Sequence, residues 1–391
     1  MISRAILARG FLGSAVDLRE PSQAWSIGVD ELSHRSPFDI LRKAEQQLAD
    51  GDILAGYLAY ECAQAVERHL DLPKPPMEMP AAAFALFSSS SSSDFPPFTD
   101  EATGLSLDER SPMSSEENSA DRSQYAQQVE DIRQRITRGD VFQVNLSRRQ
   151  TAWSAQAKPD QRLVDALPVE EALSAPFGAL LDLGRYSVLS ASPELFLSLS
   201  DRNLATEPVK GTRPRHDNPE CDEALLQELL HAPKDRAENL MIADLMRNDL
   251  AKVCDDGTLR EPVLCGARSF ASVHHLYSRI EGTLRKDCLF ADALKAAFPC
   301  GSVTGAPKLA AMDIIAELEG EGRGPYCGAI FAITKARATA SVAIRTALID
   351  NDEGRVDVRS GGGVTVLSDP EAEYQETVDK AYLYRMLTNN Y

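Results

Sequence analysis

Four carboxylates are the first candidates for chemistry. Asp235 and Glu238 lie three residues apart, as do Glu373 and Glu376, so on helices each pair projects from one face. Two such helices facing each other would offer oxygens to a hard cation. Mg2+ takes one or two protein carboxylates and completes its octahedron with water and substrate oxygens. The same spacing equally describes a solvated helix face, and alone it does not decide. Lys210 follows the strand-like Thr206-Glu207-Pro208-Val209 and precedes Gly211, Thr212, Arg213, Pro214 and Arg215. A lysine desolvated among other cations can lose its proton near neutral pH and act as a nucleophile, whereas an ordinary strand-end lysine faces solvent. Glu194, in Ser192-Pro193-Glu194, is a candidate general acid or base if enclosed. His274 and His275 are neighbours in a strand-like run, so alternation allows at most one of them into any site and leaves the other to the core. Gly361-Gly362-Gly363 ends a strand-like segment, and Gly301-Ser302-Val303-Thr304-Gly305-Ala306-Pro307-Lys308 leads into a helix; each can present N–H groups to an anion or serve as a tight turn.

Recognisable elements must carry these residues. Tyr125, Val129, Ile132 and Ile136 predict an amphipathic helix from Asp121 closed by Gly139. VFQVNLSR follows as a strand, with Phe142, Val144 and Leu146 on one face and Gln143 and Asn145 on the other. Residues 177–199 read as an antiparallel hairpin around Leu183-Gly184-Arg185. Helices are predicted over Pro233–Val253, Lys308–Glu319 and Pro370–Leu387, and strands in SVHHLYSRIEG, YCGAIFAI, SVAIRTALI and RVDVRSGG. Nearer the start, Gly56–Tyr60 reads as a strand and Ala63–Leu70 as a short helix. The serine run Ser88–Ser93 and the polar stretch 94–121 read as a loop. Hairpin-ordered strands with helices between them predict an α+β fold with antiparallel sheets.

Bulk properties exclude several functions. The 391 residues carry 41 basic and 59 acidic side chains, a net charge of −18, which argues against nucleic acid as a partner. No apolar run is long enough to span a membrane. The basic opening MISRAILARGFLG reads as a first strand or helix in preference to a targeting peptide. Seven scattered cysteines without a CxxC give neither a zinc site nor a disulfide framework, which fits a reducing, cytoplasmic compartment.

In order along residues 121–391, the segments SPELF, EPVKGTRPR, DRAENLMIADLMRNDLAKV, SVHHLYS, FPCGSVTGAPK, SVAIRTA, SGGGV and EAEYQETVDKA resemble the chorismate-utilising family of anthranilate, aminodeoxychorismate, isochorismate and salicylate synthases. The resemblance implies two large, mainly antiparallel sheets packed as a sandwich with helices outside. It divides the chain into an N-terminal subdomain, 1–120, and a chorismate-binding catalytic domain, 121–391. It implies that Glu238 and Glu376 reach Mg2+, with Asp235 and Glu373 binding through water. Arg345 and the backbone of Gly361, Gly362 and Gly363 match the site for the enolpyruvyl carboxylate, with Tyr326 nearby. Thr212 and Lys380 complete the substrate-binding set, Glu194 matches the acid/base carboxylate, and His275 the active-site histidine.

Two positions separate the family's reactions. Members that add water to the ring carry a lysine where this chain has Gln143, and anthranilate-forming members an apolar residue where it has Lys210. A lysine in the PxKGT context is similar to that of members aminating chorismate at C4. The resemblance therefore implies Lys210 as a covalent nucleophile and ammonia from a glutamine amidotransferase. No GxCxG-type nucleophile elbow is found, so a separate amidotransferase subunit is implied. No LLES-type segment associated with a tryptophan site is found either. Anthranilate-type chemistry and a non-catalytic chorismate-binding subunit are the alternatives.

Overall fold

The computed structural model describes residues 1–88, 92–94, 113–115, 119–154, 162–167, 169–270 and 273–388. Their strands form two ten-stranded sheets. The first runs from Gly305–Ala306 through Gln143–Ser154, Arg355–Val364, Thr346–Asp350, Tyr186–Ser192, Phe177–Asp182, Arg4–Leu7 and Val16–Arg19 to Ser92–Asp94, with Met113–Ser115 also paired to Gln143–Ser154. The second runs from Val209–Pro214 through Val273–Thr283, Asn203–Thr206, Leu195–Ser200, Arg337–Val342, Ala329–Ile333 and Ile53–Leu58 to Ala82–Phe87 and Gln23–Ile27. Neighbouring strands are antiparallel throughout these paths, for instance Tyr186–Ser192 with Thr346–Asp350 and Leu195–Ser200 with Arg337–Val342. Strands from the first 87 residues are thus built into both sheets.

One apolar layer lies between the sheets, where Leu7, Leu181, Val188 and Leu348 meet Tyr57, Ala83 and Ile330. Helices cover the outer faces. Pro37–Glu45, Pro233–Ala251 and Phe290–Ala297 place Leu41, Met246 and Leu294 in one cluster with Phe331 of the second sheet. On the first sheet, Ser119–Arg138, Lys308–Glu319 and Pro370–Lys380 place Val129, Ile315 and Tyr374 against Val144 and Val364. The expected α+β sandwich with outer helices is the architecture observed. Helix starts follow local chemistry: Pro233 and Pro370 occupy first-turn positions where a missing N–H costs nothing, and the Asp369 side chain accepts from Ala372 N–H at 2.9 Å.

Several predicted elements need correction. Phe142 does not share the buried face of Val144 and Leu146; it precedes the strand and is 68% exposed. The segment after Cys62 forms a short 3-10 helix, Tyr60–Ala65, and not a helix to Leu70. YCGAIFAI contributes only Ala329–Ile333, and the last helix is broken at Ala381. TEPV is not one strand ending at Lys210. Asn203–Thr206 ends before Pro208, and Lys210 lies inside the next strand, Val209–Pro214. Of the serine-rich stretch, Ser92–Asp94 pairs with Val16–Leu18 and Met113–Ser115 with Ala152–Ser154. The rest of that predicted loop lies outside the described residues.

YSVLSASPELFLSL and SVAIRTALI each break and change sheet, the first at Pro193-Glu194 and the second at Ala343–Arg345. These crossings lie side by side. Ser192 Oγ donates to Val342 O at 2.6 Å, Val342 N–H to Glu194 O at 3.1 Å, and Ala191 N–H to Arg345 O at 2.9 Å. Arg345 turns with a φ of 50°, an uncommon value for a residue with a Cβ. Glu194 and Arg345 therefore lie together on the seam between the sheets.

Candidate active site

Lys210 is aimed by an irregularity. Its strand pairs with Val273–Thr283 at Val209–Tyr277 and again at Thr212–His275, and the register slips between them, where Gly211 has a φ of 88°. Such a bulge re-aims a side chain that regular alternation would point elsewhere. A Cβ on Gly211 would sit 3.0 Å from Asp235, so glycine also lets the acidic helix approach. Lys210 Nζ donates to Ser302 O at 3.0 Å. The charges acting on it are Glu194, Glu238 and Glu376. Its cationic sequence neighbours are engaged elsewhere: Arg213 binds Glu228 and Asp235, each at 3.1 Å, and Arg215 binds Asp222 at 2.8 Å. The surroundings of Lys210 are thus acidic, contrary to the expectation of a cationic cluster.

Glu194 is enclosed. Burial raises its carboxyl above the ordinary range, while Ser302, Lys210 and the Val209 N–H pull in the opposite direction. Its Oε1 is buried without a hydrogen-bond partner. An enclosed carboxyl inclined to hold a proton beside an amine has the character of a general acid. Ser302, which the sequence offered only as part of a candidate anion-binding loop, belongs to the site because its hydroxyl serves Glu194 while its carbonyl receives Lys210. A backbone carbonyl has no signature in sequence; the FPCGSVTGAPK motif was the only signal.

The acidic helices converge as expected. Lys234 bridges them, 3.9 Å from Glu238 and 3.7 Å from Glu373. A Cβ on Gly362 would stand 3.1 Å from Glu373 Oε2 and 3.3 Å from Glu376 Cδ. Burial raises the Glu238 and Glu373 carboxyls, whereas Lys380, Lys210 and Lys234 outweigh burial at Glu376 and hold it low. Glu238 Oε1 and Glu373 Oε2 are both buried without a hydrogen-bond partner. Asp235 is drawn aside by Arg213. Orphaned carboxylate oxygens from two helices are a donor set suited to a hard divalent cation. Among the described residues no three His, Cys, Asp or Glu side chains could hold a metal by themselves.

The remaining predicted residues surround this centre. The Gly361–Gly363 backbone lies at the end of the strand Arg355–Val364, one residue short of its last, as the sequence had suggested. It pairs with Asn145–Ser147 on one edge, while pairing with Thr346–Asp350 on the other stops at Val358. A Cβ on Gly363 would lie 2.0 Å from Gln143 Nε2 and 3.6 Å from Lys210 Nζ. Lys380 Nζ donates to Gly361 O at 3.2 Å and pairs with Glu376 at 2.5 Å. His275 Nδ1 meets Thr212 Oγ1 at 2.9 Å, and burial followed by the Arg345 charge lowers the imidazole to about 4. His274 takes the core role, held by Ser269 at 2.7 Å and Asp222 at 3.0 Å. Among the described residues no carboxylate forms an ion pair with Arg345. Tyr326 is buried beside the second crossing, Cys327 N–H donating to Ala343 O at 2.9 Å.

Residues 15–385 match the family model described as chorismate binding enzyme. The chain belongs to that family. Aminodeoxychorismate synthase component 1 of Klebsiella aerogenes is 41% identical over 266 residues, 66% of this chain and 56% of that protein. Anthranilate synthase component 1 of Aeropyrum pernix is 40% identical over 261 residues, 66% of this chain and 58% of that protein. The chain thus spans little more than half the length of these curated relatives. The crystal structure of anthranilate synthase component I from Streptococcus pneumoniae TIGR4 superposes with a TM-score of 0.73 at 25% identity, covering 99% of this chain and 90% of that one. No helix among the described residues of this chorismate-binding enzyme is long and apolar enough to cross a membrane.

Proposed function

We propose that this chain aminates chorismate at C4, giving 4-amino-4-deoxychorismate, with Lys210 as covalent nucleophile and ammonia from a separate glutamine amidotransferase subunit. The observation that carries this reading is the position of Lys210 Nζ. It is aimed by a bulge at a site walled by Glu194, Glu238 and Glu376 and floored by the side-chain-free Gly363, with the neutral amide of Gln143 alongside. A water-adding member would need a base where Gln143 stands. Relatives named aminodeoxychorismate synthase component 1 and anthranilate synthase component 1 are about equally similar, so the choice between those two reactions rests on Lys210.

The chemistry balances as two displacements. The Lys210 amine forms a bond to C2, the ring double bonds shift, and the C4–O bond breaks, with Glu194 delivering the proton that lets hydroxide leave as water. The proton lost by the alkylated amine returns to Glu194. Ammonia then forms a bond to C4, the double bonds shift back, and the C2–N bond breaks as Glu194 protonates the departing lysyl nitrogen; the new C4 ammonium returns a proton to Glu194, leaving a neutral amine on Lys210. Attack at C2 by the enzyme reserves C4 for nitrogen. Arg345, free of an ion pair among the described residues, and the open edge of Gly361–Gly363 bind the enolpyruvyl carboxylate. Neutral His275, held by Thr212 and the Gly211 backbone, lines the site without adding charge. Glu238 and Glu376 would hold Mg2+, with Glu373 and Asp235 behind them, and the ion supplies positive charge to the ring carboxylate.

Intact-protein mass spectrometry with chorismate and Mg2+ but no ammonia tests the mechanism. The expected result is an adduct of chorismate less water on the wild type and none on Lys210→Ala. No adduct on the wild type, or one that survives the substitution, refutes the nucleophile. With ammonium added, 4-aminobenzoate should form only after a lyase is supplied; fluorescent anthranilate would instead assign C2 amination, and lack of turnover a non-catalytic role.

A further inference from the structure

Arg323 lies outside the proposed catalytic set, yet its side chain is among the largest that are fully buried. A buried guanidinium is tolerated only when its donors are satisfied and its charge is paired. Its Nε and Nη2 grip Glu319 at 3.0 and 2.6 Å, Nη1 donates to Val303 O at 2.9 Å, and Nη2 donates to Asn145 O at 2.6 Å. Its backbone N–H and that of Gly324 donate to Glu61 Oε1 at 2.7 and 3.1 Å, and its Cζ lies 4.8 Å above the Tyr60 ring. Glu319 in turn receives the Ser147 N–H at 2.8 Å and Oγ at 2.9 Å.

The two carbonyls it grips are significant. Val303 follows Ser302, whose own carbonyl receives Lys210 and whose hydroxyl serves Glu194. Asn145 pairs directly with Gly363 and donates its N–H to Thr304 O at 2.8 Å. One cation thus ties the loop carrying Ser302 to the strand carrying Gln143 and Asn145. Through Glu319 it also ties both to the end of the helix Lys308–Glu319. We infer that Arg323 is a positioning residue that sets the place of Ser302, and through it the relative placement of Lys210 and Glu194. Tyr60 and Glu61 complete its cage, so the N-terminal region takes part in supporting the catalytic groups. The inference rests on the proposed reading of Lys210 and Glu194 as the reacting pair.

The test is kinetic. Arg323→Lys keeps the charge but cannot hold two carbonyls and a carboxylate in one plane. At saturating chorismate and excess ammonium, its kcat should fall about 10-fold or more while KM for chorismate changes less than 3-fold. Arg323→Met should lose more, with lysine recovering part of that loss. A cavity variant far from the site, Leu41→Ala, controls for stability: its kcat should stay near the wild-type value despite a lowered Tm. Arg323→Lys within 2-fold of wild-type kcat, or a kcat loss in Leu41→Ala at matched Tm equal to that of Arg323→Lys, overturns the inference. Turnover is read as chorismate consumed, so the result holds whichever ring carbon receives nitrogen, and the product identified separately judges the proposed reaction. Should Arg323→Met not fold, the lysine variant decides. A second readout is the rate at which trinitrobenzenesulfonate labels Lys210, followed by peptide mass spectrometry. Arg323→Lys should shift it at least 3-fold, and an unchanged rate also counts against the inference.

Discussion

Replacing Gly361 and Gly363 separately with alanine should separate stability from activity within a single strand. At Gly361 a methyl group would lie 2.2 Å from Leu146 O and 2.8 Å from Ser147 Cα, both backbone atoms of the paired strand. Relief requires the two strands to part by about an ångström, and overpacking of this kind costs about 1–3 kcal/mol or more. At Gly363 the nearest atom is Gln143 Nε2 at 2.0 Å, the tip of a side chain, and Lys210 Nζ stands 3.6 Å away. Gln143 can swing aside, since its Oε1 already lacks a partner, so stability should change by less than about 1 kcal/mol. The displaced amide and the new methyl group then occupy space beside the lysine. Misplacement by about an ångström at a reacting centre costs roughly 100-fold in rate. Urea unfolding and steady-state turnover of the two variants provide the comparison. Gly361→Ala should lower the unfolding midpoint more, and Gly363→Ala should lower kcat about 100-fold with a near-native midpoint. A Gly363→Ala enzyme with kcat within 3-fold of wild type, or one less stable than Gly361→Ala, refutes the placement of Lys210 against this strand.

Other perturbations probe the buried charges. Glu238→Gln removes an orphaned oxygen, and a magnesium titration of activity should show half-saturation at about 10-fold or higher concentration. His275 is held at about 4 against its ordinary 6.5, so its contribution is fully present above 6.5 and is lost as pH falls toward 4. The loss is on the order of 3 kcal/mol, and His275→Gln should flatten the dependence of Tm on pH across that window. Burial raises Glu61 to about 7, so its contribution is present below its unfolded value near 4.5 and is lost as pH rises through 7. Glu61→Gln keeps the Oε1 acceptor for the Arg323 and Gly324 N–H groups and should be more stable than wild type at pH 8, by about 1–3 kcal/mol in urea unfolding.

What the sequence revealed and what it concealed have physical causes. The helices Pro233–Ala251 and Lys308–Glu319 were legible because Pro233 marks one start and Gly320, with a φ of 67°, marks the other end. The strand Val273–Thr283 was legible from its alternation, down to the split between His274 and His275. The sheet crossings were not. SVAIRTALI is rich in apolar and β-branched residues, and nothing in the run itself announces that Arg345 will turn with a positive φ; that break is imposed by the two sheets it joins. Arg213 and Arg215 were misleading for a related reason, because closeness in sequence placed them beside Lys210 while their partners lie on other elements. Arg323, in a glycine-rich segment that reads as a loop, gave no hint of its burial.

The charge of the site explains why an acidic chain can take an anion. Glu194, Glu238, Glu373 and Glu376 are matched by Lys210, Lys234, Lys380 and Arg345, so the centre is near neutrality although the whole chain carries −18. Charges spread over the surface are screened within about 10 Å at ordinary ionic strength, and the local balance governs binding. On the proposed reading, chorismate brings two further negative charges into this balanced, enclosed space. A divalent cation held by Glu238 and Glu376 would restore neutrality, and without it the dianion would be desolvated beside four carboxylates. Protons compete for the same oxygens, since burial already inclines Glu238 and Glu373 to hold them. On that reading metal and substrate would bind as coupled ligands, each strengthening the other by the same factor. In such an arrangement the carboxylates that would repel chorismate by themselves would become the means by which the cation is delivered to it.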